Sequence, residues 1–198
     1  MDVHSVLKYV DNKDKDKGTT TLRFKQDVID ILMRGFEGNI LEVGTNNGNT
    51  TAILAAIGET LNKRVYSFDN NPIFISKARI LCEKMKLGCK IIQKNVYEEE
   101  WDMENIGCVF IDCVHTEACF KKDLSNTLKC TSAIKNPIIL AHDYGLITAN
   151  GDGIKQFLDN SREYNIVRFL GEHLNWNPLG SGKVIDWEGV QIQIGKEL

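Results

Sequence analysis

Five places in this 198-residue chain put polar or glycine-rich residues directly after a short apolar run. They are Glu42 to Asn49, Asp69-Asn70, Asn95, Asp112 to His115, and His142-Asp143-Tyr144. Core packing does not require that repetition, whereas a shared ligand site does. In the first of them, Glu42-Val43-Gly44-Thr45-Asn46-Asn47-Gly48-Asn49, Gly44 and Gly48 permit a tight turn and a close approach of backbone to ligand. A dinucleotide pyrophosphate favours three glycines spaced G-x-G-x-x-G, with the anion on a helix N-terminus. Here Asn46 takes the middle position, and Glu42 lies two residues before the first glycine. A carboxylate there disfavours pyrophosphate and suits a ligand carrying positive charge. Asp69 follows Gly48 by 21 residues and is placed to accept both hydroxyls of a ribose. Its structural alternative is an N-cap for a helix beginning at Pro72.

The two later clusters contain His115 and His142, and histidine is the side chain best suited to gain and lose a proton near neutrality. A bland alternative has His115 simply capping a helix that starts near Thr116. Tyr144 would line an acceptor pocket or pack in the core. His173 and Trp176, in a late loop, would shape an acceptor site, and His4 has no supporting context.

The elements that must position these residues follow from changes of hydrophobic period. Residues 1–18 read as a loosely held leading segment, because Asp11-Asn12-Lys13-Asp14-Lys15-Asp16-Lys17 is charge-mixed and aperiodic. That segment would serve as a solvated linker or as a flap over the site. Thr19 to Thr21 offer N-caps for a helix with Leu22, Val28, Ile29, Leu32 and Met33 on one face, stopped by Gly35 and Gly38. Strands are expected at 39–44, 64–69, 90–93, 108–112, 137–143 and 164–170, with helices between them. Lys183 to Asp186 and Val190 to Ile194, on either side of Trp187-Glu188-Gly189, read as a closing hairpin. Alternation of strand and helix with a terminal hairpin predicts an α/β fold of one domain over 1–198. Its core is a doubly wound, mostly parallel seven-stranded sheet with a C-terminal antiparallel hairpin. In such a sheet, ligands bind outside the carboxyl ends of the strands, which is where the five clusters fall.

Composition narrows the classes. Lys plus Arg number 24 against 27 Asp plus Glu, a net charge of −3, so no basic footprint marks nucleic acid as the main partner. No apolar run approaches the roughly 20 residues of a membrane span, and the first residues resemble neither a signal nor a transit peptide. Cys82, Cys89, Cys108, Cys113, Cys119 and Cys130 form no C-x-x-C pair and read as free thiols of a reducing, cytoplasmic compartment. A Cys113/His115/Cys119 metal site is disfavoured.

From about Ile40 to Asp143 the chain resembles the class I S-adenosylmethionine-dependent methyltransferases. The resemblance is carried by Glu42-x-Gly44-x-x-x-Gly48 and by Phe68-Asp69. It is similar in particular to the small single-domain O-methyltransferases related to the catechol and the sugar or macrolide enzymes. The resemblance implies S-adenosylmethionine as cofactor, contacted by Glu42, Gly44, Thr45, Asn46, Gly48, Asn49, Asp69, Asn70, Asn95 and Asp112, with Asn95 at the adenine. The cofactor's sulfonium and ammonium suit the Glu42 carboxylate. It further implies a small hydroxylated acceptor, with Asp112, His115 and His142 as catalytic residues and His115 at the general-base position. Asp112, His142 and Asp143 fall where the catechol group holds a divalent metal. The metal implied is magnesium, manganese or similar; because the family's Asp-Asn pair is His142-Asp143 here and magnesium prefers all-oxygen ligands, either the metal differs, or His142 has another role, or there is no metal. The rivals are an NAD(P)-dependent Rossmann oxidoreductase, which lacks its middle glycine here, and a non-catalytic module keeping the fold. A nucleic-acid acceptor is disfavoured by the absence of an N-P-P-Y-type tetrapeptide, and a homodimer is compatible with the sequence.

Overall fold

The computed structural model describes residues 1–13, 20–147, 153–170, 183–184 and 187–194. Six of its strands run through the sheet in the order expected of a doubly wound fold. These are β1 (Asn39–Val43), β2 (Val65–Asp69), β3 (Lys90–Gln93), β4 (Ile106–Ile111), β5 (Ile138–His142) and, later in the chain, β7 (Tyr164–Leu170). With β9 (Trp187–Ile194) they form one seven-stranded sheet of order β3-β2-β1-β4-β5-β9-β7. β1 to β5 are mutually parallel, and β9 is antiparallel to both β5 and β7. Strand order reverses between β1 and β4, which opens a crevice at their carboxyl ends.

Both faces of the sheet are covered, which explains why the central strands are almost continuously apolar. Side chains alternate between the two cores. Ile40, Cys108, Phe110 and Leu140 point into the core beneath α1 (Val3–Lys13), α2 (Leu22–Leu32), α3 (Asn49–Leu61) and α4 (Pro72–Met85). Leu41, Val109, Ile111, Ile139 and Ala141 point the other way, toward α5 (Glu117–Cys130) and α6 (Ile154–Asn160). Pro72 opens α4 at its first position, where its missing N–H costs nothing. That helix ends at Met85 with Lys86 in the left-handed region, two residues before the expected stop at Gly88.

Two sequence expectations are corrected. Residues 3–13 form a helix rather than a loose segment: Val3, Val6, Leu7 and Val10, at i, i+3, i+4 and i+7, are all buried. The charge-mixed run that follows obscured this short stripe; residues 14–18, the rest of the expected flap, lie outside the described residues. Trp187-Glu188-Gly189 is not a turn but the start of β9. The strand pairs with β7, in register Ile166↔Ile192, while the two-residue β8 (Lys183–Val184) pairs with β6 (Leu146–Ile147). An inward Glu188 and a glycine resemble turn chemistry in sequence, yet both are held inside the sheet by α2. The Phe24 ring fills the space beside Gly189, and Thr21 hydrogen-bonds Glu188.

Candidate active site

The carboxyl ends of β1, β2, β3, β4 and β5 open onto a cavity of about 290 Å³. Its wall contains Gly44, Thr45, Asn46, Asn49, Asp69, Asn70, Asn95, Asp112, His115, His142 and Asp143. Eleven of the residues singled out from sequence therefore meet in one place. Glu42 and Gly48 are not among the lining residues.

Gly44 adopts φ 102°, and a Cβ there would lie 2.0 Å from the Asp112 carbonyl oxygen. The glycine thus lets the end of β4 close on the end of β1, bringing Asp112 to the crevice. Gly48 packs against Ala78 of α4 and serves the wall from behind. Glu42 lies beneath the loop, fully buried, its Oε2 accepting from Thr51 Oγ1 and Ser67 Oγ, each at 2.5 Å. Burial pushes its carboxyl pKa up to about 8. It is therefore a neutral acid at neutral pH, not the anion suggested by its place in sequence.

Asp69 accepts from the backbone N–H groups of Thr45 (3.1 Å), Asn46 (3.0 Å) and Asn71 (2.8 Å). Since a carboxylate has about four lone-pair sites, it fastens this loop and retains capacity for a ligand hydroxyl. The cap of α4 is Asn71, whose Oδ1 accepts from Ile73 N–H, so Asp69 is not spent as an N-cap. Likewise Thr116, not His115, caps α5. Asn95 Oδ1 accepts from Tyr97 N–H at 3.2 Å.

The proton chemistry is concentrated around four side chains. His115 Nε2 is 2.7 Å from Asp143 Oδ2. His142 Nδ1 hydrogen-bonds Asp112 Oδ1 at 3.1 Å and lies 3.1 Å from Asp143 Oδ1 as well. The other ring nitrogen of His142 is 3.1 Å from Glu188 Oε1, and the ring stacks on Phe24. Burial by itself lowers both imidazole pKa values, but for His115 the hydrogen bond and charge of Asp143, with Asp112, outweigh it and hold the pKa above its ordinary value. For His142 the charges of Asp143 and Asp112 drive it well above. Burial raises Asp143, yet the His142 charge and the His115 hydrogen bond overcome this and keep its carboxyl well below the usual range.

Ligand atoms of Asp112, His115 and Asp143 lie within 4.8 Å of one another, close enough to converge on one divalent ion. Two members of the expected trio, Asp112 and Asp143, belong to this group with His115, and the third, His142, has its Nδ1 3.1 Å from both carboxylates. Burial pushes the Cys113 thiol well above its ordinary pKa, which keeps it protonated and unlike a thiolate ligand. Tyr144 turns away from the cavity toward Asp159 and Arg168. His173 and Trp176 lie outside the described residues.

Sequence reading passed over Thr20, Lys25, Tyr97 and Glu188. Lys25 is 3% exposed and lines the cavity. Its signal was available: with Val28, Ile29 and Leu32 it occupies one i, i+3, i+4, i+7 stripe, where a lysine is out of place. Glu188 gave no such signal, since it sat in an apparent turn. In the structure Thr21 donates to it through its N–H at 2.6 Å and through Oγ1 as well, tying the start of α2 to His142.

A family model described as a methyltransferase domain matches residues 41–144, just over half of the chain. No curated protein matches it in sequence. Among solved structures it is similar to a methyltransferase of Podospora anserina bound to SAH, with TM-score 0.68 and 15% identity, covering 98% of this chain and 88% of that one. The O-methyltransferase from Bacillus cereus in complex with SAH gives TM-score 0.62 at 17% identity, covering 98% and 90%. The tRNA (m1A58) methyltransferase of Aquifex aeolicus gives TM-score 0.62 at 17% identity, covering 96% and 76%. No described helix is long and apolar enough to cross a membrane.

Proposed function

We propose, on the premise that this chain belongs to the methyltransferase-domain family matched over residues 41–144, that it is an S-adenosylmethionine-dependent O-methyltransferase acting on a small hydroxylated acceptor. The observation that carries the reading is the His115–Asp143 pair on the wall of a cavity that also holds Asp69 and the Gly44 loop. The cofactor's ribose is assigned to Asp69 and Asn70, and its adenine to Asn95. Its amino-acid end is assigned to Thr45, Asn46, Asn49 and Lys25. SAH in the Podospora and Bacillus structures supports this class of ligand. Glu42, as a buried neutral acid, holds Thr51 and Ser67 under the loop.

Methyl transfer is an in-line displacement on carbon, in which the oxygen of the acceptor attacks the methyl group and the sulfonium leaves as a thioether. The protein's part is alignment and removal of the acceptor proton. His115 takes that proton on its deprotonated ring, and Asp143 orients the imidazole and stabilises the imidazolium that forms. Asp112 lies beside both partners, and His142, pinned by Asp112 and Glu188, fixes the carboxylates. Because the His115 pKa is raised, the base form gains population as pH rises above the ordinary imidazole range.

Asp112, His115 and Asp143 would also hold a divalent ion, which when bound supplies a Lewis acid for an acceptor hydroxyl. With Nε2–H donating to Asp143, the acceptor's proton goes to His115 Nδ1; an ion bound at Nε2 would remove the Asp143 hydrogen bond that orients the base. A small acceptor is favoured by the size of the cavity. The tRNA enzyme among its structural neighbours shares the fold at low identity, and no described segment supplies a nucleic-acid module.

His115→Ala tests the assignment against a panel of phenols and sugars. Turnover is expected to fall at least a hundredfold, in line with loss of a general base. SAH affinity should stay within threefold. Loss of cofactor binding without loss of turnover per bound enzyme would remove His115 from the base role.

A further inference from the structure

The segment Cys113–Val114–His115 leaves the sheet without regular structure. Among the described residues, none of its three N–H groups makes a backbone–backbone hydrogen bond. It is held instead by a side chain from another loop: Val114 N–H donates to Tyr97 Oη at 3.1 Å. The same hydroxyl donates to Asp123 Oδ2 at 3.1 Å. Asp123 lies in the second turn of α5 and is fully buried. Its Oδ1 finds no hydrogen-bond partner among the described residues.

Burying a carboxyl with one oxygen unsatisfied costs stability, and an apolar residue on that face of α5 would pack without such a cost. Burial pushes the Asp123 pKa up to about 7 and holds the Tyr97 phenol well above its ordinary value, so the phenol remains a proton donor. Each hydrogen-bonding role of the hydroxyl is then directional: its proton goes to Asp123 and a lone pair to Val114. The Tyr97 ring also lines the cavity, next to Asn95 and Val96.

We infer that Tyr97, steadied by Asp123, is a positioning residue for His115, acting through the Val114 peptide and linking the cofactor's adenine side of the cavity to the base. The inference rests on the reading of His115 as base and Asn95 as the adenine contact. It also assigns a purpose to the buried carboxyl of α5, which the reaction itself does not use.

The test is NMR of the full chain, with chelator present, on wild type, Tyr97→Phe, Asp123→Ala and Asp123→Asn. Val114 amide exchange and the His115 side-chain 1H–15N correlation are read at one pH, and SAH affinity is measured by calorimetry. Tyr97→Phe should speed Val114 exchange at least tenfold and shift the His115 correlation, while SAH affinity stays within threefold. Asp123→Ala should move both signals in the same sense. Asp123→Asn keeps an acceptor for the phenol and should restore Val114 protection to within threefold of wild type. Unchanged Val114 and His115 signals in Tyr97→Phe would overturn the inference. So would faster exchange spread evenly over all amides in proportion to lost stability. If Asp123→Ala fails to fold, the Tyr97→Phe and Asp123→Asn pair decides alone. Absence of SAH binding in the wild type would overturn the cofactor reading separately, since the Val114 and His115 signals need no ligand.

Discussion

Glu42 shows how a residue's environment decides its role. At a strand end in sequence it looks like an anion awaiting a cationic ligand; in the fold it is sealed beneath α3 against Thr51 and Ser67, with its pKa raised from 4.5 to about 8. A carboxyl whose folded pKa lies above its unfolded value is bound to its proton more tightly in the native state. It therefore contributes stability that is complete below pH 4.5 and is lost as pH rises through about 8. Every tenfold gain in proton affinity corresponds to about 1.4 kcal/mol, so the effect is of the order of a few kcal/mol. Glu42→Gln, which mimics the neutral acid, should flatten the fall in unfolding free energy between roughly pH 5 and 9 measured by urea denaturation. A slope equal to that of wild type would show that Glu42 is not protonated in the fold. Lys25 is the second case, a lysine buried at the cavity wall. Lys25→Met should weaken SAH about tenfold or more, the scale of one charged hydrogen bond. 5′-Methylthioadenosine, which lacks the amino-acid end, should bind with affinity little changed. Equal losses for both ligands would move Lys25 away from the carboxylate.

At the scale of elements, the parallel core was legible because its signals are local. Each of β1 to β5 is a short apolar run with a polar or glycine-rich exit, and Thr21, Pro72 and Thr116 mark helix starts by their own chemistry. What escaped were features that depend on partners distant in sequence. Glu188 belongs in a strand only because Thr21, 167 residues earlier, donates to it, and β9 pairs with β7 across the intervening chain. The contact between His142 and Glu188 escaped for the same reason, since the two lie 46 residues apart. The N-terminal helix α1 was missed because its stripe is only four residues long and runs into a charged stretch. Val6, fully buried there, offers a direct check. Val6→Ala should cost about 1–3 kcal/mol in urea unfolding, as expected for removing buried methyls. A cost near zero would restore the loose-segment reading of the first residues.

The whole molecule brings eleven sequence-nominated residues from five strand ends to one cavity, at the crevice where strand order reverses. That convergence, more than any one motif, separates a built site from a decayed fold, because a scaffold without a ligand has no need of it. Each level of function rests on a different feature: the family on residues 41–144, the cofactor on the cavity's chemistry, and the base on the His115–Asp143 contact. The cofactor is the step on which the others depend. Calorimetric titration of ligand-free, folded protein with S-adenosylhomocysteine, with and without manganese, tests it most directly. Binding near one-to-one in the low micromolar range (about −8 kcal/mol) is expected without added metal. No heat of binding in either condition, from protein verified as folded and free of copurified ligand, would contradict the assignment of this cofactor.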